Sequence, residues 1–111
     1  MMRFVEQIVD CQPYRLLLKF SSGEVRWVDL APTLKAKATS PESAYRRLLD
    51  RAIFRQVKLD REARTIYWEG LARMVSADGA EEPAPLDFCP DTLYEMSIPV
   101  TIEGVQNMAG R

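Results

Sequence analysis

The 111-residue chain predicts an α+β fold: a small, mainly antiparallel sheet of two hairpins plus a first strand, with one central helix and a short C-terminal helix. Three observations carry that expectation. Tyr14, Leu16, Leu18 and Phe20 alternate with Arg15, Leu17 and Lys19 at the period of a strand. Tyr45, Leu48, Leu49, Ala52 and Ile53 recur at helical spacing. Leu86 to Tyr94 then packs a helix start and its docking residues into one short stretch.

The elements follow in order. Phe4 to Asp10 reads as a first strand, ended by Cys11-Gln12-Pro13. Tyr14 to Phe20 is the second strand, and Ser22-Gly23 reads as a two-residue hairpin turn. That turn predicts Phe20 opposite Val25 and Leu18 opposite Trp27 on one face, with Leu17 opposite Val28 on the other. A sheet apolar on both sides calls for cover on its second face. Ala31 to Thr39 reads as a connection with a short helical turn. Ser40-Pro41-Glu42 then supplies a cap, a first helical residue and an acid for the first turn of a helix running to about Arg51. Gln56–Leu59 and Thr65–Trp68 form the second hairpin around the loop Asp60 to Arg64. Ser76 to Pro85, rich in Gly, Pro, Ala and acid, reads as a mobile loop. Pro90 fits the first position of the last helix, Asp91 its positive first turn, and Phe88 with Leu93 the spacing of a hydrophobic staple. Beyond it Ile98, Val100 and Ile102 alternate, and Pro99 confines such a strand to a sheet edge. The residues from about Val105 are expected to fray.

Composition sets limits. Hydrophobic residues at 47% and charged residues at 28% match a globular domain and exclude global disorder. The chain is sized for a single α+β domain over residues 1–96, with the mobile loop at 76–85 and a C-terminal tail or edge strand at 97–111. Glu6 and Asp10 interrupt the opening residues, leaving no signal peptide or membrane span, so a cytoplasmic protein without membrane contact is expected. Cys11 and Cys89 are too few for a disulfide framework and lack metal-ligand spacing. The net charge of −1 hides a division. Thr33 to Ile66 holds nine Lys/Arg against four Asp/Glu, whereas Tyr67 to Arg111 holds two against eight.

The residues together resemble the bacterial domain-of-unknown-function family twenty-four forty-two, whose members close on Trp-Pro-Asn-Gly-x-Asp-x-x-Pro-Asp-x-Leu-Tyr. The resemblance rests on Pro13-Tyr14, Phe20 with Ser22-Gly23, Val28-Asp29-Leu30, Phe54 to Val57, Trp68, Gly70, and Asp87 with Pro90-Asp91-Thr92-Leu93-Tyr94. Two departures stand out. The Trp-Pro-Asn-Gly becomes Trp68-Glu69-Gly70, and Leu71 to Pro85 intervenes before the close. The resemblance implies an α+β domain, and membership of small two-gene cassettes of toxin–antitoxin type paired with another small protein. It carries no catalytic residues across.

The chain has no histidine, which removes the commonest general base and metal ligand. Cys89 stands at a helix start that favours a thiolate, but Asp87 and Asp91 oppose one, and a capping residue is the plainer reading. Asp87 and Asp91 lack the further oxygens a cation needs and read as helix-start acids. Trp27, Tyr67 and Trp68 could anchor an interface but sit in alternating strands, where large aromatics are more often core. Arg46, Arg47, Arg51 and Arg55, near Lys58, are the strongest charge feature. Arg47, Arg51 and Arg55 would share one stripe of a continuous helix. The expected role is therefore a non-enzymatic protein-interaction or regulatory module, with no cofactor and no metal. Its partner-binding residues are Arg46, Arg47, Arg51 and Arg55, and another small protein is the expected partner. A nucleic-acid-binding regulator using the basic helix is the alternative, and a homodimer is compatible with the same sequence.

Overall fold

A computed structural model describes residues 3–100. The expectations for Ile102 and for fraying from Val105 lie outside the described residues. The described residues form an α+β fold, with antiparallel strands in two sheets and four short helices.

Strands β1 (Val5–Gln12), β2 (Arg15–Phe20) and β3 (Val25–Asp29) form consecutive antiparallel pairs. The predicted alternation holds: Leu16, Leu18 and Phe20 are all fully buried, each burial stabilising the fold by about 2 kcal/mol. The register differs by one residue. Leu18 lies opposite Arg26, Leu17 opposite Trp27 and Leu16 opposite Val28. The cause is the turn. Gly23, at φ 90°, donates its N–H to the Phe20 carbonyl, while the Phe20 N–H donates to Glu24, both at 2.9 Å. That is a three-residue loop with glycine in the left-handed position, and the extra residue shifts every pair. Val28 therefore joins the core face, and Leu17 and Trp27 lie half-buried on the other.

Helix α1 (Ala31–Lys37) makes more of the predicted helical turn than a connection, with Pro32 in its first turn and Leu34 buried. The single central helix is corrected to two one-turn helices, α2 (Ala44–Arg47) and α3 (Arg51–Phe54). Ser40 does not cap them. Its carbonyl accepts the Ser43 N–H at 3.2 Å, closing a turn over Pro41 and Glu42, and Ser43 becomes the cap by accepting the Tyr45 N–H at 3.2 Å. Asp50 then takes extended backbone (ψ 119°) and accepts the N–H groups of Ala52 and Ile53 at 2.9 and 3.4 Å. A side chain that competes so well for free N–H groups ends one helix and starts the next. The Leu49 carbonyl exposed by the break is taken by the Tyr14 hydroxyl.

Strands β4 (Lys58–Asp60), β5 (Thr65–Val75) and β6 (Glu81–Asp87) form the second sheet in that order. The segment 76–85, predicted as a loop, is a tight turn followed by most of β6. Pro83 and Pro85 concealed the strand, yet β6 is an edge, where proline is tolerated. Leu71 to Pro85 thus forms a two-stranded arm, its bulge at Glu69 to Leu71 turned by Gly70 at φ 68°. Helix α4 (Pro90–Glu95) begins where predicted, with Cys89 as cap, and β7 (Ser97–Pro99) pairs with β3 as the outer strand of the first sheet.

The buried residues join both sheets. Leu16, Leu18, Phe20 and Val28 meet Ile66, Trp68 and Leu86, with Leu34, Leu48, Phe54 and Leu93 filling the helix side. Aromatic contacts run through this core: Tyr14 edge-on to Phe54 at 5.5 Å, Phe54 tilted against Trp68 at 5.5 Å, and Trp68 edge-on to Phe88 at 5.7 Å. The Trp68 Nε1–H donates to the Phe54 carbonyl at 2.9 Å, which ties the end of α3 to β5 and satisfies a polar atom that burial would otherwise penalise. Trp68 is core, as its alternating position predicts.

Candidate functional site

Arg46 and Arg47 occupy α2, Arg51 opens α3 and Arg55 closes it. All four are exposed. Among the described residues none of the four side chains makes a hydrogen bond or ion pair. The break at Leu48 to Asp50 removes the single helical stripe that Arg47, Arg51 and Arg55 were predicted to share. What remains is a basic surface on two successive turns, each held by its own cap. Asp50, the acid between them, has its Oδ1 turned to the α3 cap and so accepts from backbone rather than from arginine.

The structure enlarges this surface in a way the sequence did not suggest. Helix α1 packs against α2, and Lys35 and Lys37 lie in its last turn. Lys37 Nζ stands 5.1 Å from the centre of the Tyr45 ring, a cation held over an aromatic face. Burial pushes the Cys11 thiol above its ordinary value, with the Arg55 charge opposing the shift and the Asp10 charge adding to it.

The remaining candidates are simpler. Cys89 is exposed at the α4 cap. Its sulfur faces the Thr92 and Asp91 N–H groups, which draw the thiol below its ordinary value against the opposing charge of Asp91, but it completes no cap hydrogen bond. Asp91 accepts the Arg3 N–H at 2.9 Å, and Asp87 is exposed at the end of β6. Among the described residues no group of three or more His, Cys, Asp or Glu is placed to hold a metal ion. No helix of the described residues is long and apolar enough to cross a membrane. An open cleft of about 250 Å³ is lined by Val5, Glu6, Leu59, Arg61 and Arg64, where a loose Arg64–Glu6 pair at 3.9 Å is the main electrostatic feature.

The closing stretch is a lock rather than a site. Leu93 is fully buried, and the Tyr94 ring meets Phe20 edge-on at 5.2 Å. Arg3 and Arg26 each lie 4.4 Å from the centre of that ring. The Tyr94 hydroxyl donates to Glu24 at 2.7 Å. Arg26 donates to Glu24 at 2.7 Å and to the Ser97 hydroxyl at 2.5 Å. These contacts fasten the first hairpin to α4 and to the start of β7. The Tyr94 network went unread in the sequence because it joins residues seventy or more positions apart, and the signal available was the motif that Tyr94 ends.

In comparisons with known proteins, the family described as "Protein of unknown function (DUF2442)" matches residues 9–99, from the middle of β1 to the end of β7. No curated protein and no solved structure matches the chain.

Proposed function

The chain belongs to the DUF2442 family of proteins of unknown function, and from that premise we propose that it is a non-enzymatic interaction module whose basic surface receives an acidic partner protein. The observation that carries this reading is the state of Arg46, Arg47, Arg51 and Arg55: four exposed guanidinium groups on capped turns, with no ion pair among the described residues. A guanidinium left unpaired is ready to make bidentate bonds to carboxylates. The partner we favour is a second small protein, with this chain as the antitoxin-like or regulatory member of a toxin–antitoxin-type pair. Copurification from the native host tests the proposal. Arg47→Glu with Arg51→Glu is expected to abolish recovery of the partner while leaving the fold intact, and undiminished recovery overturns it.

A second reading is favoured by Lys35, Lys37 and Tyr45, which add two cations and an aromatic face beside α2. Such a surface suits a nucleic-acid backbone. Binding of that kind weakens steeply as salt rises, and its absence at low salt dismisses the reading.

A further inference from the structure

The two edges of the arm are built differently. Strand β4 pairs with β5 only as far as Tyr67, so beyond Trp68 strand β5 has β6 on one side and no described strand on the other. The Ser76 N–H donates to the Ala80 carbonyl at 2.9 Å, and Met74 lies opposite Glu82, Ala72 opposite Ala84. In an antiparallel pair the hydrogen-bonded positions alternate. Ser76, Met74 and Ala72 therefore turn their backbone groups toward β6, whereas Arg73 and Val75 turn theirs outward. By the same alternation Pro83 faces outward on β6, followed two residues on by Pro85. A proline there has no N–H to offer, so the β6 edge is closed to a further strand. The β5 edge has no proline, and beside it Met74 is 54% and Val75 67% exposed.

We propose that the open edge of β5 is a self-association surface on which a second copy of this chain pairs, antiparallel, through the same residues. Outward groups must meet outward groups. A two-fold axis at Met74 sets Arg73 opposite Val75 of the second copy and Val75 opposite its Arg73, so both residues use both backbone groups, and the two Met74 side chains lie side by side. An axis at Arg73 would oppose two like charges, and one at Val75 would engage fewer groups. Charge supports the chosen register. It brings Asp78 of one copy level with Gly70 of the other, carrying the acidic turn with Glu81 and Glu82 toward the end of β4. There Arg55 is exposed, three residues upstream of Lys58, which is also exposed and already ion-paired with Glu69 of its own chain at 2.7 Å. The basic middle and acidic last third of the sequence thus face each other across the two-fold. The pairing does not depend on the partner reading above, because the edge itself carries it.

Sedimentation velocity of the full chain over a wide concentration range tests the proposal. A dimer that grows with concentration is expected, and Arg73→Pro, which removes an outward N–H just as Pro83 does across the arm, is expected to raise the dissociation constant at least about tenfold with an unchanged far-ultraviolet spectrum. Amide hydrogen exchange of the unaltered chain provides a readout independent of that variant. Protection at Arg73 and Val75 should rise with concentration while that at Met74, already bonded to β6, stays constant. A chain monomeric throughout, a folded Arg73→Pro variant that still dimerises, or concentration-independent exchange at Arg73 and Val75 overturns the proposal.

Discussion

Single side chains connect the distant parts of this chain. Trp68 is 1% exposed and gives its one donor to the Phe54 carbonyl. Trp68→Phe keeps an aromatic ring but empties part of the pocket and strands that carbonyl, with an expected cost of about 2 kcal/mol in denaturant unfolding. Glu24 offers a pH test. The Tyr94 hydroxyl, then Arg26, hold its carboxyl below the ordinary value of 4.5. A depressed folded-state pKa contributes stability above the ordinary value, and that stability is lost as pH falls through the lowered one. Tyr94→Phe should therefore lower the melting temperature more at neutral pH than in acid, and an equal loss at both would contradict the Glu24 linkage. The cysteines diverge in the same way. Cys89 is exposed with its thiol pulled down, Cys11 is half-buried with its thiol pushed up, so limited alkylation at neutral pH followed by mass spectrometry should label Cys89 first.

Elements were legible in the sequence where one local signal acted alone. The strand of Leu16, Leu18 and Phe20 and the helix at Pro90 stand where periodicity and capping chemistry predict them. They were misread where two signals competed within a few residues. Ser40, Ser43 and Asp50 can each cap a helix by their chemistry, and in the structure the last two do so. The exposure of Arg46, Arg47, Arg51 and Arg55 followed from composition, but their alignment did not, because it depended on a continuity that Asp50 ends. Asp50→Ala should cost about 1 kcal/mol, read as a lowered unfolding midpoint, and should loosen α3 selectively in hydrogen exchange. Strand β6 was hidden for a further reason: Pro83, Pro85 and the acids beside them are loop signals in an isolated sequence and edge protection once β5 lies alongside.

The whole molecule is two antiparallel sheets sharing one set of buried side chains, with Leu93 of α4 among them. Leu93→Ala should cost about 3 kcal/mol and weaken both sheets together. The two tryptophans make this measurable, since Trp27 belongs to the first sheet and Trp68 to the second. Trp27→Phe and Trp68→Phe, each leaving one reporter, should give transitions whose fluorescence and circular dichroism coincide. The chain measures 56 × 29 × 20 Å, and β5 runs unbroken from Thr65 in the core to Val75 near the arm's tip. From Trp68 to Val75 the strand spans about 20 Å. One strand thus belongs to both the arm and the core, and Trp68, whose Nε1–H holds the Phe54 carbonyl at the end of α3, is the residue at which the arm's backbone enters the core.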